Sequence, residues 1–228
     1  QRYLQLLDQS NSNDDKVRFD GETKINEIVS KDLIRSILIF TEIILRDGVD
    51  YPLVYLSLVW IKKIFTPVPP ATADDIAKIW LEVDKSYREK VKMALIRGLT
   101  LPNHQITSVS ALAFTSLLNI EKLEMFDFIR KLYQIYENSE YSEPTKAAAI
   151  NVLAEITTKN SLGSHTDTEE VHQILVELFE KVGSYFTNCL DKSLDIRFNT
   201  ANVIDNLLDV ADILFQNDEI ITSLIDVV

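Results

Sequence analysis

The sequence predicts an all-α fold, a right-handed α-solenoid of about five helix pairs, on three observations. A phrase near the start recurs later in the chain, apolar residues follow the 3.6-residue period of amphipathic helices, and turn-forming residues are scarce. Five Gly and six Pro in 228 residues are too few for an all-β chain full of tight turns. With 46% hydrophobic residues, the chain can bury a sizeable core.

The recurring phrase is “KVRFDGETKINEI”, Lys16–Ile28, and it returns as “DIRFNTANVIDNLLDV”, Asp195–Val210. The aligned residues share one offset of 179, which places Phe19 over Phe198. Fainter copies lie in “TKAAAINVLAEI”, at an offset of 128, and in “LVYLSLVWIKKI”, at an offset of 36, where Tyr55 takes the aromatic position. Such self-similarity indicates a repeat protein, in which each unit buries its apolar stripe against the next.

Each related phrase is one amphipathic helix, called a B helix below, because its apolar residues recur at the spacing of a single helical face. In the last copy this face runs from Ile196 to Leu214. B helices are predicted near 14–29, 52–66, 105–119, 143–158 and 192–214. An A helix is predicted before each of them, near 2–9, 31–46, 86–99, 122–137 and 169–188, with a short extra helix near 73–83.

The boundaries between helices carry their own signals. Ser30 is a candidate N-cap of the second A helix, Gly48 lies just past the end of that helix, and Pro52 opens the following B helix. The pairs recur at roughly the 40–47-residue period of HEAT repeats. The whole chain is therefore predicted to be one HEAT-repeat array, 1–228, with repeats near 1–29, 30–67, 72–120, 121–158 and 167–215 and the start of a sixth at 217–228.

A basic residue recurs early in the B helices, as Arg18 and Arg197. In HEAT repeats such an arginine commonly bonds an acidic residue of a neighbouring repeat, and we expect that structural role here. The chain closes on “EIITSLIDVV”, which is apolar and periodic. Because a solenoid needs polar capping helices for solubility, we expect the chain to be a fragment or its end to pair with something else.

Charge is distributed unevenly along the chain. Residues 137–228 hold 17 acidic and 5 basic residues and thus carry the entire net charge of −12. This excess disfavours nucleic acid or an anionic membrane as the partner, since both need a positive surface. It fits a basic protein partner or simple solubility. No run of 18 apolar residues predicts a membrane span, and a single cysteine, Cys189, fits a reducing compartment.

Sequence motifs of catalysis are lacking, since the chain contains no P-loop, no nucleotide-binding glycine motif and no nucleophile elbow. Four residues in “HTDTEEVH” have side chains that in principle ligate a metal: His165, Asp167, Glu169 and His172. His165 and Asp167 are better interpreted as part of a loop. The acidic residues fit the first turn of the helix that follows, where the helix dipole favours them. We therefore expect a binding protein rather than an enzyme, with no cofactor and no metal.

The stretch “IWLEVDKSYREKVKMALIRGL” has a more specific order, in which a tryptophan-led helix and a short break precede a helix with a basic residue, a Val-Lys pair and spaced leucines. This order resembles the third repeat of the importin-β (karyopherin-β) N-terminal region. The residues that carry the resemblance are Trp80, Leu81, Asp84, Arg88, Val91, Lys92, Leu95 and Leu99. The opening stretch and the Ile61-Lys62 pair are also similar to the family. The departures are Lys63, where the family has Asn, and “MFDFI”, where it has Trp-Pro-Glu-Leu.

The resemblance implies a partial nuclear transport receptor. Importin-β proteins are superhelices of HEAT repeats that bind the GTP form of Ran through N-terminal B helices on the concave face. They bind Phe-Gly nucleoporins between A helices on the convex face, and they bind the basic segment of importin-α mainly through later repeats, mostly beyond this chain. The expected localisation is the cytoplasm, the nucleus and the nuclear pore.

Two sets of site residues follow from this resemblance. The expected Ran-binding residues lie on the second B helix: Val59, Trp60, Lys62 and Lys63, beside Tyr55. The expected nucleoporin-binding residues lie on the fifth A helix and the last helix: Val176, Phe179, Tyr185, Phe186, Ile220 and Leu224. The alternative is a HEAT-repeat scaffold for another multiprotein assembly, such as a phosphatase or a coat complex, which would share the periodicity but less readily the Trp80 to Leu99 order.

Overall fold

The computed structural model describes residues 2–68, 72–121, 128–157, 177, 181 and 192–214 of the protein. All regular structure within these ranges is helical, and none of it is strand. The helices in chain order are α1 (Arg2–Ser10), α2 (Asp15–Lys31), α3 (Leu33–Leu45), α4 (Tyr51–Phe65), α5 (Ala73–Leu81), α6 (Lys85–Thr100), α7 (His104–Glu121), α8 (Ile129–Glu137), α9 (Glu143–Thr157) and α10 (Leu194–Leu214). The prediction of an all-α fold is confirmed.

The helices alternate as the predicted A and B helices. The pairs are α1–α2, α3–α4, α6–α7 and α8–α9, while α5 is the predicted extra helix and α10 is the fifth B helix. Of the fifth A helix, predicted near 169–188, only residues 177 and 181 are described. Apart from the start of α8, which follows residues outside the described ranges, the helix ends lie within two residues of their predicted bounds.

The chain divides into two compact units, Gln1–Ile120 and Glu121–Val228. In the first unit, α1 packs on α2, and α3 packs on both α4 and α6. In the second unit, α9 packs on both α8 and α10. The α3–α6 contact joins two consecutive A helices, and the α9–α10 contact joins two consecutive B helices. Within each unit the pairs are therefore stacked, as a solenoid requires.

Large aromatic side chains form the core of the first unit. The Phe40 ring meets Tyr3 edge-on at a centroid distance of 5.6 Å and stacks on Trp60 at 6.3 Å. Phe65 meets Trp80 edge-on at 5.0 Å. All of these rings except Tyr3 are buried. Because the contacts join α1, α3, α4 and α5, the core continues from one helix pair into the next.

Polar side chains cap the helix starts, and a glycine follows α3. Asp14 and Asp84 each accept a hydrogen bond of 2.8 Å from the main-chain N–H two residues further on. Thr72 and Asp75 form a reciprocal capping box at the start of α5. Gly48, predicted just past the end of α3, has a φ of 73°, the left-handed conformation that glycine adopts without steric cost. Each of these helix boundaries is therefore specified by one or two residues at the boundary itself.

The predicted N-cap of the second A helix is wrong. The helix α2 continues through Lys31, so Ser30 lies inside it and donates its hydroxyl hydrogen to the Asn26 carbonyl oxygen at 2.8 Å. Asp32 takes the cap instead, accepting from the N–H of Arg35 at 3.1 Å. An aspartate directly between the two helices satisfies the first N–H groups of α3, which a serine inside α2 does not reach.

The buried stripe predicted for the repeated helix is only partly confirmed in α10 and in α2. Ile196, Val203 and Leu207 of α10 are buried, Ile204 is half-buried, and the side chains of 208–214 lie outside the described residues. In α2, Ile25 is buried, but Val17 is exposed. The first turn of α2 thus lies outside the packed part of its pair, although its sequence matches that of α10.

The predicted role of the repeated arginine is wrong for Arg18. Its guanidinium bonds the Asp15 carboxylate and the Ser12 carbonyl oxygen, and both groups belong to its own helix pair. Arg197 is exposed, and no ion pair joins it to another residue that the structure describes. An arginine on the exposed side of the first helical turn reaches its own loop and helix start sooner than a neighbouring repeat.

The helices of a pair approach each other closely at glycine–serine contacts. A Cβ atom on Gly21 would lie 2.9 Å from the Ser10 hydroxyl oxygen, and one on Gly98 would lie 2.5 Å from the Ser110 hydroxyl oxygen. The Ser110 hydroxyl itself donates to the Leu95 carbonyl oxygen of α6 at 2.6 Å. The missing side chains of Gly21 and Gly98 therefore permit the crossings of α1 with α2 and of α6 with α7.

Replacing Gly98 by alanine should destabilise the first unit, because the added methyl group forces α6 and α7 apart. Overpacking of this kind costs about 1–3 kcal/mol, which outweighs the gain of about 1 kcal/mol from the higher helix propensity of alanine. Urea unfolding followed by far-UV circular dichroism measures the change. Ser108→Ala, at an exposed site of α7, is the control and should change the free energy of unfolding by less than about 0.5 kcal/mol. A Gly98→Ala protein as stable as the wild type would contradict the close crossing.

Candidate partner-binding face of the B helices

The outward sides of the B helices form a candidate partner-binding surface, called the B face below. It consists of the residues at helix positions five, nine, twelve and thirteen, which lie on one side of an α-helix. In the first unit these residues are all exposed or half-buried: Phe19, Thr23, Asn26 and Glu27 of α2; Tyr55, Val59, Lys62 and Lys63 of α4; and Ser108, Leu112, Thr115 and Ser116 of α7. In the second unit they are Ala147, Asn151, Ala154 and Glu155 of α9, and Phe198, Asn202, Asp205 and Asn206 of α10, and of these only Ala154 is buried.

The B faces of the two units differ in charge. In the first unit the B face carries two cations, Lys62 and Lys63, and one anion, Glu27. In the second unit it carries the anions Glu155 and Asp205, and none of its described positions is cationic. The two surfaces therefore suit partners of different charge.

In α2, α4 and α10 the fifth position of the B helix holds an exposed aromatic ring. Phe19 is 72% exposed, Phe198 is 64% exposed and Tyr55 is 37% exposed. The alignment of the repeats did not by itself show that these three rings face solvent. The helical spacing could have shown it, because the fifth position points away from the helix face that holds buried residues such as Ile25 and Ile196.

The predicted Ran-binding residues fall into two groups. Tyr55 is exposed and Val59 and Lys62 are half-buried, so these three contribute to the surface of α4. Trp60 is only 4% exposed and stacks on Phe40 of α3, so it offers a partner almost no surface. The structure thus places Trp60 in the core, although the sequence grouped it with the contact residues.

Lys63 is exposed, but its ammonium group already has neighbours. Its Nζ atom lies 3.1 Å from Asn26 Oδ1 of α2 and 4.5 Å from the centre of the Trp60 ring. An ammonium over the face of a tryptophan ring is attracted by the quadrupole of the ring. Lys63 therefore connects the second B helix to the first.

Hydrogen bonds of the same kind recur along the B face and are called the B-face links below. In each link, the residue at position thirteen of one B helix forms a hydrogen bond with the preceding B helix, or with the residue that directly follows that preceding helix. The links are those of Lys63 with Asn26 (3.1 Å), Ser116 with Thr66 (3.0 Å) and Asn206 with Ala154 (2.8 Å). Asn206 also lies 3.4 Å from the Thr157 hydroxyl oxygen. One register position thus joins consecutive B helices in both units.

Ion pairs join consecutive A helices of the first unit. Lys90 of α6 pairs with Glu42 of α3. Arg97 of α6 donates to the Leu45 carbonyl oxygen at 2.9 Å and to the Asp47 carboxylate at 2.7 Å, at the end of α3. Exposed pairs of this kind contribute at most about 1 kcal/mol each, so they orient the A helices while packing supplies most of the stability.

Similar pairs are present in the second unit. Arg130 of α8 donates two hydrogen bonds, of 2.9 and 3.0 Å, to the Glu177 carboxylate, and these bonds hold the pKa of Glu177 below its usual value. Lys181 pairs with Glu137 at 3.0 Å. Burial raises the pKa of Tyr133, which lies beside these groups, so its hydroxyl stays neutral. Residues 177 and 181 therefore face α8, as an A helix in this part of the chain requires.

The residues that carry the family resemblance lie mostly in the core. Trp80 is buried, and so are the valine and the spaced leucines of α6. Arg88 and Lys92 are buried as well, with Arg88 Nε donating to the Val83 carbonyl oxygen at 3.1 Å and Lys92 Nζ lying 3.4 Å from the Glu89 carboxylate. This motif therefore describes how α5 and α6 pack, and it supplies little binding surface of its own.

Two sets of sequence-predicted residues lie outside the described residues. They are the nucleoporin set, Val176, Phe179, Tyr185, Phe186, Ile220 and Leu224, and the possible metal ligands, His165, Asp167, Glu169 and His172. Within the described ranges, no three His, Cys, Asp or Glu side chains are grouped so that they could hold a metal ion. Among the helices described, none is both long enough and apolar enough to span a membrane.

Stacked A–B helix pairs define the class of fold, which is a HEAT-repeat α-solenoid. No protein-family model matches the sequence, and no curated protein sequence matches it significantly. Solved structures match the fold over nearly the whole chain, and several of them are importin-β structures.

The structure of yeast importin-β (Kap95p) matches with a TM-score of 0.69 at 15% identity and covers 99% of this chain. A Kap95:Nup1 complex gives 0.70 at 15% identity over 99% of this chain. A structure in which Kap95p binding induces the switch loops of RanGDP to adopt the GTP-bound conformation gives 0.67 at 14% identity, again over 99%. This chain spans 25–26% of the length of these chains. It has the HEAT-repeat fold of importin-β, and thus a fold like that of a nuclear transport receptor.

Removing the Asn206 link should destabilise the second unit by about 1 kcal/mol, the usual net contribution of one hydrogen bond. The matched control is Asn202→Ala, four residues earlier in α10, where the same change of residue type alters helix propensity equally but breaks no link. Urea unfolding followed by far-UV circular dichroism compares the two variants. Equal unfolding midpoints for Asn206→Ala and Asn202→Ala would show that the link contributes nothing.

Proposed function

We propose that this chain is part of a nuclear transport receptor and that the B face of its first unit binds the GTPase Ran in its GTP form. The importin-β fold over 99% of the chain gives this proposal its main support. The order of residues from Trp80 to Leu99, which resembles the third importin-β repeat, supports it independently. The chain acts by binding rather than by catalysis, in the cytoplasm, the nucleus and the nuclear pore.

The contact on α4 consists of Tyr55, Val59 and Lys62, which offer an aromatic ring, an aliphatic side chain and a cation along one side of the helix. Exposed tyrosines are frequent hot spots of protein interfaces. A lysine beside them adds attraction and register toward an acidic group on the partner. Trp60 supports this surface without being part of it, because the Trp60 ring is buried in the core behind the surface.

The preference for one nucleotide form comes from the GTPase. Switch regions of GTPases are ordered by the γ-phosphate, so a surface that fits the ordered switches distinguishes the GTP form from the GDP form. This chain then needs no nucleotide site, in keeping with its lack of a P-loop. Because Kap95p acts on RanGDP as well, the two forms need to be compared by affinity rather than by presence or absence of binding.

Reversing both charges, with Lys62→Glu and Lys63→Glu together, should weaken the binding of Ran loaded with a GTP analogue at least about tenfold, or about 1.4 kcal/mol. The reason is that two repulsive groups replace the cations of the B face. Isothermal titration calorimetry measures the affinity, and circular dichroism should show unchanged helicity. The matched control reverses Lys78 and Lys85, which are exposed and lie outside the B face, and should bind like the wild type.

Two results would count against this proposal. Unchanged affinity in the Lys62/Lys63 double variant would mean that neither lysine contacts Ran and that the contact lies elsewhere. A wild-type chain that binds neither nucleotide form at tens of micromolar, on the order of −6 kcal/mol, would favour the alternative function, a HEAT-repeat scaffold for another multiprotein assembly.

We also propose that the chain binds Phe-Gly nucleoporins between its fifth A helix and its last helix. The Kap95:Nup1 complex, which has the same fold, supports this proposal. Full burial of one phenylalanine contributes roughly 1.5–3 kcal/mol, so a single pocket binds weakly and several must act together. The contact residues are Val176, Phe179, Tyr185, Phe186, Ile220 and Leu224.

Titration of the isotope-labelled chain with a Phe-Gly peptide should shift amide resonances in residues 169–188 and 217–228. The same peptide with alanine in place of phenylalanine is the control and should leave them unchanged, because it lacks the ring that fills the pocket. NMR spectroscopy gives the shifts by residue. Shifts confined to other helices would place the nucleoporin site elsewhere.

Importin-α or another basic cargo is proposed as a third kind of partner, bound mainly by repeats beyond this chain. The acidic excess of residues 137–228 supports a basic partner by charge complementarity. The same excess is the reason that neither nucleic acid nor a membrane surface is proposed.

A further inference from the structure

Lys62 and Lys63 are adjacent in α4 but differ in their surroundings. Lys62 is half-buried, and no hydrogen bond or ion pair joins its ammonium group to another described residue. Lys63 makes two contacts, one with Asn26 of α2 at 3.1 Å and one with the Trp60 ring at 4.5 Å. The ammonium group of Lys63 is therefore engaged within the first unit, whereas that of Lys62 is available to a partner.

Trp60 holds the Lys63 side chain in a fixed place. Its ring is buried and stacks on Phe40 with 14° between the ring planes. Because Phe40 belongs to α3, the tryptophan is held by both helices of the second pair. The ammonium group of Lys63 thus lies between this rigid pair and Asn26 of the first pair, and it connects the two.

The same register position makes a link in the second unit without any charge. Lys63 and Asn206 are each the thirteenth residue of their helices, and Asn26 and Ala154 are each the twelfth residue of the preceding B helix. Asn206 donates to the main-chain carbonyl oxygen of Ala154, whereas the longer lysine donates to the side-chain oxygen of Asn26. At this position both residues therefore donate a hydrogen bond to the preceding B helix, and in α10 the donor carries no charge.

From these contacts we propose that Lys63 is a positioning residue, which fixes α4 against α2, and that Lys62 is the lysine that meets an acidic group of the partner. The second half of this inference rests on the proposed binding of Ran. The link lies eight residues from Tyr55 in α4 and seven residues from Phe19 in α2, or about 10–12 Å along each helix. It therefore sets the spacing of the two exposed aromatic rings that the partner meets.

A double-mutant cycle with Lys63→Ala and Asn26→Ala tests the positioning role. Each single substitution should lower the urea midpoint of unfolding, and the double variant should unfold at the midpoint of Lys63→Ala alone, because the shared bond is lost only once. Lys63→Asn should restore the midpoint by donating to the Asn26 carbonyl oxygen, as Asn206 does to Ala154. Lys62→Ala is the control and should leave the midpoint unchanged. Additive losses, or a Lys63→Asn protein as unstable as Lys63→Ala, would overturn the positioning role.

Affinity for Ran separates the two lysines. Lys62→Ala should weaken binding of the GTP-analogue form about fivefold or more, whereas Lys63→Asn, which keeps the link and removes the charge, should stay within about twofold of the wild type. If Lys63→Asn weakens binding as much as Lys62→Ala does, Lys63 is a contact residue and the inference is wrong. A wild-type chain that binds neither nucleotide form would refute the proposed function, and with it the contact assigned to Lys62, while the unfolding midpoints would still decide the role of Lys63.

Discussion

The structure depends on one constraint, which is that a helix pair can cover only part of its own apolar surface. The helix α3 shows this most clearly, because its apolar residues need both α4 of its own pair and α6 of the next. Consecutive pairs must therefore stack, and contacts between side chains must fix the distance between them. Ion pairs such as Arg97 with Asp47 do so between the A helices, and the B-face links do so between the B helices.

The B-face links also determine which side chains of the B face are already bonded within the protein. The side chains at position thirteen in these links are bonded within the protein, so they contribute to the shape of the surface more than to its contacts. The rings at position five, Phe19, Tyr55 and Phe198, have no such internal use and remain exposed. The charges around these rings differ between the units, with the cation Lys62 in the first and the anion Asp205 in the second.

The helices could be predicted from the sequence because apolar periodicity and turn residues are local signals. Which face of each helix is buried could not be predicted from the sequence, since it depends on the neighbouring helix pair. Trp60 and Phe19 are both aromatic residues of B helices, yet Trp60 packs on Phe40 of α3 and Phe19 faces solvent. Lys63 was grouped with the expected Ran-binding residues, and its bond to Asn26 could not be foreseen because the two residues are 37 positions apart in the sequence. Links between pairs leave no local mark, so most of the candidate site became visible only in three dimensions.

Binding of Ran at the B face of the first unit is tested most directly by hydrogen–deuterium exchange mass spectrometry of the full chain, alone and with the GTP-analogue form of Ran. Contact with α2 and α4 should raise their local stability and slow the exchange of their amides. The expected result is slowed exchange in peptides covering Asp15–Lys31 and Tyr51–Phe65, with no change in α5. Slowed exchange confined to the A helices, or no change anywhere under saturating Ran, would contradict the assignment of this face.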